Sequence, residues 1–302
     1  MKKVGFIVLI LFLIFISCKS KDAVIVKATE KDVNYIPYYL KVYEADSLYL
    51  TNNFEKSYQI LDDLFREYEP LNVDGWYEYS NYIASSVMSG HIKDIKGKVL
   101  KGFKEFGGIG SYHNNSFMFK DSILKVSKIS NKEIDSLKNI YFKGLNVELR
   151  TQIEMMIKED QSARLDNYNE NKIKFYSEKH KKKIYEILQV IGYPSIKILG
   201  SENYFDYTAD IKLLLMHQSD SSKTDLLPKL LFYLKKGDCD PSTYSMIYDK
   251  KMWEKEQKQL YGTFPINKYY PSLVYPKKVD SLRKSIGLPN LSYIEWRNSK
   301  MN

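Results

Sequence analysis

A mainly α-helical protein is the expectation, and three observations carry it. Apolar residues recur at spacings of three and four, as in 147–165, where Leu149, Ile153, Met156 and Ile157 form one stripe with no Gly or Pro. Capping residues bracket such runs: Ser130 stands three before Glu133, and Gly107 and Gly237 each follow the end of a run. Pro265, Pro271, Pro276 and Pro289 crowd the C-terminal end, which therefore reads as a loop-rich tail. The expected architecture is a set of N-terminal helical hairpins, residues 35–145, packed on a C-terminal helical domain, residues 146–302. A chain of 302 residues with 44% hydrophobic side chains can bury a sizeable core.

Residues 1–17 read as a secretory signal. Lys2 and Lys3 make the basic start, and the apolar run from 4 to 16 is shorter than the roughly 20 residues a bilayer span needs. The run ends in Phe15-Ile16-Ser17-Cys18. This resembles a bacterial lipoprotein signal, in which the cysteine after a small residue accepts lipid; Phe15 departs from the usual Leu. The resemblance implies lipidation, palmitate included, at Cys18 and anchoring in the bacterial cell envelope. Lys19 after the cysteine favours the outer membrane over the inner. The alternative is an ordinary cleaved signal with a chance cysteine. Residues 18–34 are polar with little periodicity and read as a tether. With Cys18 lipidated, Cys239 is left alone and no internal disulfide is available. It sits between Asp238 and Asp240, which raise a thiol pKa, so it reads as a loop residue rather than a nucleophile.

Residues 38–106 resemble tetratricopeptide-type hairpins. Ala45, Leu48, Phe54, Ser57, Leu61 and Leu64 occupy small and large repeat positions, Asn52-Asn53 makes the first turn and Ser89-Gly90 the second. The turns lie 38 residues apart, from Asn52 to Gly90, against about 34 for that repeat, so a generic bundle is the competing reading. The resemblance implies a protein or peptide partner on the hairpins. Gly107-Gly108-Ile109-Gly110-Ser111 is a break and not a phosphate loop, because no Lys-Thr or Lys-Ser follows and no strand precedes. Helix resumes at Ser130, and His113 to Asn115 belong to the loop before it.

The C-terminal domain carries charges on apolar helical faces. At 100° per residue, Asp160 falls about 20° and Arg164 about 60° from Leu149, inside the stripe of the 147–165 helix. Residues 172–190 form the next helix, with 196–199 a short extended segment after Gly192 and Pro194. His217 falls between Leu213 and Leu214 on a helix expected over 207–218. A helix over 222–234 follows, and another over 243–260 places Asp249 among Met252, Trp253 and Leu260, with Gly262 as its left-handed C-cap. A last short helix covers 279–286. Burying an unpaired charge costs several kcal/mol or more, so Asp160, Arg164, His217 and Asp249 are expected to meet, with Gln161, Gln218 and Tyr261 completing the hydrogen bonds. They are the candidate catalytic residues, and the glutamines and tyrosine the candidate ligand contacts.

The order Asp160-Gln161-x-x-Arg164, Gly192-Tyr193-Pro194, Met216-His217-Gln218-x-Asp220, Tyr248-Asp249 and Gln259-x-Tyr261-Gly262-Thr263 resembles a bacterial domain family of unknown function. The run Val279-Asp280-Ser281-Leu282-Arg283 with Ile286-Gly287-Leu288 is similar to that family's C-terminal end. The resemblance covers about half the chain. Lys250 stands where the family usually has Arg, and Phe264 where it often has Gln. It implies no activity.

The formal charge is +9, and +7 once Lys2 and Lys3 leave with the signal. Basic residues are scattered apart from Lys179-His180-Lys181-Lys182-Lys183, which reads as a solvated face or a contact for anionic lipid. Export argues against a nucleic-acid partner. Tyrosine numbers 26, enough to line helix interfaces or a groove, though codon bias is the simpler account of such a count. The four histidines show no metal-ligand spacing, and no metal or cofactor is expected. Two classes of function follow: a lipid-anchored binding or protein-interaction module, or a hydrolase or transferase using an Asp/Arg/His pocket. Composition leaves the oligomeric state open.

Overall fold

The computed structural model describes residues 33–73, 75–110, 119–165, 168–201, 204–205, 209–266 and 269–301. The signal, Cys18 and nearly all of the tether lie outside the described residues, as do His113 and its neighbours. Residues 33–302 belong to one compact unit. Fourteen α-helices and two very short strands are seen among the described residues, so the chain is mainly α.

The N-terminal helices are α1 (Ile36–Leu50), α2 (Phe54–Glu67), α3 (Glu78–Met88) and α4 (Ile95–Phe106), each packed on the next. Asn52, at φ 59°, turns α1 into α2; asparagine tolerates the left-handed region better than most residues. Ser57 fits against α1 and donates to the Ala45 carbonyl at 3.0 Å. Tyr38, Tyr39, Tyr43, Tyr49, Tyr79 and Tyr82 are all buried here. The tyrosines of this part are therefore core, their rings meeting edge-on, as between Tyr38 and Tyr39 at 5.8 Å.

Helices α5 (Lys120–Ser127) and α6 (Asn131–Lys143) follow, and Ser130 and Glu133 form the expected capping box on α6. Next come α7 (Val147–Leu165), α8 (Glu170–Val190), α9 (Ile196–Leu199), α10 (Lys212–Met216), α11 (Asp220–Lys236) and α12 (Pro241–Glu256). Helix α10 packs against both α7 and α12. The tail holds β1 (Lys258–Gln259), β2 (Ser272–Leu273), a 3-10 turn (Pro276–Lys278), α13 (Val279–Ser285) and α14 (Tyr293–Met301), with β1 and β2 parallel. One apolar cluster runs from Tyr38 to Leu288 and draws on residues either side of position 145. Each fully buried member, such as Leu61, Ile83 or Leu230, contributes about 1.5–3 kcal/mol. No helix among the described residues is long and apolar enough to cross a membrane.

Four local expectations are corrected. Residues 196–199 form a helical turn, not an extended segment. Helix α10 is five residues long among the described residues, and His217 is its C-cap rather than a residue within the helix. Helix α12 stops at Glu256, where Gln257 takes φ 54°, and Gly262 lies in the loop beyond. A second helix, α14, closes the tail where only loops were expected.

Candidate functional site

Asp160, Arg164 and His217 do meet. On α7, Asp160 Oδ1 accepts from Arg164 Nε at 3.1 Å, one helical turn on. Its other oxygen, Oδ2, lies 2.6 Å from His217 Nδ1 and accepts from Gln161 Nε2 at 3.0 Å. Asp160 is 4% exposed, whereas the His217 and Arg164 side chains are 19% and 24% exposed. A buried carboxylate is thus bridged to solvent by a guanidinium and an imidazole. Burial alone would raise its pKa, but the hydrogen bond and charge of His217, with the Arg164 guanidinium, outweigh it and hold the carboxyl below its ordinary value.

The preceding residue makes a parallel contact on the other flank. Glu159 accepts from Lys179 Nζ at 2.6 Å and lies 2.9 Å from Nε2 of the buried His180. Successive helical residues point about 100° apart, so Glu159 reaches α8 while Asp160 reaches α10. Here too burial opposes ionisation, and Lys179 and His180 outweigh it, so the Glu159 carboxyl sits below its ordinary range. His180, with its Glu159 partner, is a second carboxylate-paired histidine that the sequence reading placed in a solvated lysine run.

Asp249 does not join this cluster. It is fully buried on α12, and its oxygens are taken by the chain that follows. Oδ1 accepts from the Leu260 and Tyr261 amides at 2.7 and 3.0 Å, and Oδ2 accepts from the Thr263 amide and hydroxyl at 3.0 and 2.8 Å. Gln259, also fully buried, donates to the Phe264 and Pro271 carbonyls and accepts from the Phe264 amide. Arg283 of α13 donates to the Tyr261 carbonyl at 2.7 Å and the Pro289 carbonyl at 2.6 Å. Gly262 has φ +66°, and a Cβ there would meet Leu291 Cδ1 at 2.9 Å, so the loop admits little else. The motif Gln259-x-Tyr261-Gly262-Thr263 and Arg283 are thus the fittings of one loop.

Two further expectations fail for the same reason. Gln218 is buried and donates to the Leu214 carbonyl at 3.1 Å, satisfying its own turn rather than Asp160. The Tyr261 amide goes to Asp249, and its ring packs on Tyr248 at 5.3 Å. Cys239 is buried; burial and then the Asp240 and Asp210 carboxylates push its thiol pKa well up.

The loop so fixed walls a cleft of about 920 Å³. Tyr43 comes from α1, Trp76 from the turn between α2 and α3, Met246 from α12, Phe264 and Ile266 from the loop, and Arg283 and Glu295 from the tail. Trp76 is held from several sides. Its ring lies 4.4 Å from Tyr43, stacks near Tyr293 and sits 4.4 Å beneath the Arg297 guanidinium. Arg297 in turn donates to Asp46 at 3.0 Å and to the Gly75 carbonyl at 2.8 Å. Val73, Trp76, Asp240 and Ser242 also border a smaller cavity of about 140 Å³, which reaches Tyr193, Asp210 and Lys212. Lys212 bonds Asp210 at 3.1 Å. Burial would lower its pKa, but Asp240 and Asp210 outweigh this and keep the ammonium charged.

Sequence reasoning missed this cleft and its buried ion pair. Asp46 had a signal, since it lies in the buried stripe of α1 between Val42 and Tyr49, the same oddity that marked Asp160. Its partner Arg297 had none, being 251 residues away. Asp160, Arg164 and His217 line none of the five clefts characterised. No family model, curated protein or solved structure matches the chain.

Proposed function

We propose that the chain is a membrane-anchored exported lipoprotein whose folded unit is a binding or protein-interaction module. The observation that carries the reading is the cleft between the N-terminal helices and the tail. Its size suits an organic ligand or a peptide segment, and its walls combine aromatic and aliphatic surface with a few charged groups, Arg283, Asp280 and Glu295 among them. The tetratricopeptide-like hairpins supply Tyr43 and Trp76, and the domain-family motifs supply the loop opposite. In this reading the motif residues shape a wall, and one loop uses them all. The lipoprotein-like signal supports an envelope location, through lipid on Cys18.

Two measurements test this. Metabolic labelling with a palmitate analogue should mark the chain and not its Cys18→Ala variant; equal label in both refutes the anchor. A photo-crosslinking amino acid at Met246 or Ile266, in the cleft, should give a discrete adduct in the intact envelope, while the same group at Leu165 should not. Identical patterns from all three positions refute the cleft as the binding site.

A second reading is favoured by the His217–Asp160 contact of 2.6 Å. A carboxylate that orients one imidazole nitrogen leaves the other able to move a proton, with Arg164 holding an anion beside it, as a hydrolase or transferase requires. Loss of the cleft adducts with retention of an activity sensitive to His217→Asn would favour it.

A further inference from the structure

The lysine run and the tip of the α7–α8 hairpin are used by neither reading above. Leu165 ends α7 at 75% exposure, and Tyr168, before α8, and Phe175, in its second turn, are 68% and 65% exposed. Asn169 ties the turn together, its amide donating to the Ala163 carbonyl and its side chain accepting from the Lys172 amide. Three large apolar side chains are thus held outward at one end of two long helices, instead of covering a core.

Basic residues surround them. Between 165 and 183 the chain carries six lysines against Asp166, Glu170 and Glu178, a formal +3. On a helical wheel Lys172, Lys179 and Lys182 fall within about 60° of Phe175, so they share its face. Lys172, Lys174 and Lys182 are exposed and form no ion pair among the described residues. Farther along the hairpin, Lys179, Lys182 and Lys183 edge a groove of about 700 Å³ on whose floor Met155 is 60% exposed. An apolar tip with a lysine collar matches a lipid interface, where acyl chains accept the first and headgroup phosphates the second. A nucleic acid would meet the lysines but offer no apolar phase to Leu165 and Phe175.

We propose that the tip of the α7–α8 hairpin docks on an anionic bilayer surface, inserting Leu165, Tyr168 and Phe175 while Lys172, Lys174 and Lys182 contact headgroup phosphates. The proposal rests on the reading that the protein resides at a membrane. It adds a protein contact to the lipid on Cys18. The docked hairpin would fix how the cleft faces the bilayer.

Residues 33–302 form a compact unit with their own core, so a lipid-free chain of that span is suitable for the test. It should float with vesicles of equimolar phosphatidylcholine and phosphatidylglycerol, and not with phosphatidylcholine alone. Each lysine near the surface strengthens binding about fivefold, so Lys172→Gln, Lys174→Gln and Lys182→Gln together should weaken it about a hundredfold. Leu165→Ser with Phe175→Ser should abolish flotation while leaving thermal unfolding unchanged. A polarity-sensitive dye on Phe175→Cys should report apolar surroundings only with the anionic vesicles. Equal flotation with both vesicle types, or flotation that survives both sets of changes, overturns the proposal. So does vesicle-independent self-association, or duplex DNA binding, that the same changes remove. Because the unit lacks Cys18, failed flotation with intact palmitate labelling refutes the hairpin contact alone. Failed labelling with intact flotation refutes only the lipid anchor.

Discussion

Asp160 and Asp249 present the same letter on the same kind of helical face, and the protein neutralises them in opposite ways. Asp160 is met by side chains: a guanidinium, an imidazole and an amide, two of them reaching solvent. Asp249 is met by three backbone amides and a hydroxyl, and no cation among the described residues bonds to it. The first arrangement links helices, since His217 closes α10 and Asp160 sits on α7. The second shapes a loop, because amides from 260 to 263 must converge on one carboxylate. A buried acid on an apolar stripe therefore marks a polar anchor without saying whether it anchors a side chain or the backbone.

The comparison breaks most visibly at Asp249. Replacing it with Ala leaves the Leu260, Tyr261 and Thr263 amides without their acceptor in a buried loop. Each such group costs about 1–3 kcal/mol, so Asp249→Ala should lose about 4 kcal/mol or more in urea unfolding. The wall of the cleft would loosen with it. Asp249→Asn keeps one carbonyl oxygen and should lose about half as much. A loss under about 1 kcal/mol for Asp249→Ala would show that the amides find water readily and that the loop is not held this way.

Glu78 sharpens the contrast, being a buried acid that also has no cation bonded to it among the described residues. It is 1% exposed and accepts from Tyr38 Oη at 2.7 Å and from the Val73 amide at 2.9 Å. Burial raises its pKa to about 7, against the lowering effect of these hydrogen bonds. The folded protein thus keeps a proton that the unfolded chain releases near pH 4.5. Its contribution to stability is complete below about pH 4.5 and is lost as pH rises towards 7. The loss should be on the order of 3 kcal/mol across that window. Other groups titrate there too, so the readout is the difference between the wild-type and Glu78→Gln stability curves. A difference that stays flat from pH 4.5 to 7.5 would remove this account.

How much of this was legible follows from what each anchor uses. The α7 helix and its Asp160–Arg164 pair are local, one turn apart, and periodicity alone located them. His217 stood out as the one histidine between two core leucines, although its helix is shorter than expected. The cap at Ser130 and the left-handed glycines at 107 and 237 are equally local. Asp249's partners were not legible, because backbone amides carry no letter in the sequence. The end of α12 was hidden for a related reason: Gln257 adopts a conformation usually left to Gly or Asn, at a cost the Asp249 contacts offset. Helix α14 was hidden because what holds it is distant in sequence, through Arg297 to Asp46 and Tyr293 to the Tyr43 carbonyl.

The smallest expected effect is the most informative about Asp160. Breaking a fully buried ion pair by removing one partner typically costs about 3–5 kcal/mol. Arg164→Ala should cost less, about 1–2 kcal/mol, for two reasons. Its side chain is a quarter exposed, so solvent already screens the pair. Asp160 also retains His217 and Gln161. The acid limb should change with it. Because the Asp160 carboxyl is held below its ordinary value, its contribution is present above about pH 4 and fades as pH falls through the folded value. Removing Arg164 raises that value towards the ordinary one, so the variant should lose less stability than the wild type between pH 4 and 2. A cost near 5 kcal/mol with the acid limb unchanged would mean that Arg164 supports packing rather than the carboxylate. The contrast between an anchor made of side chains and one made of backbone would then lose one of its two sides.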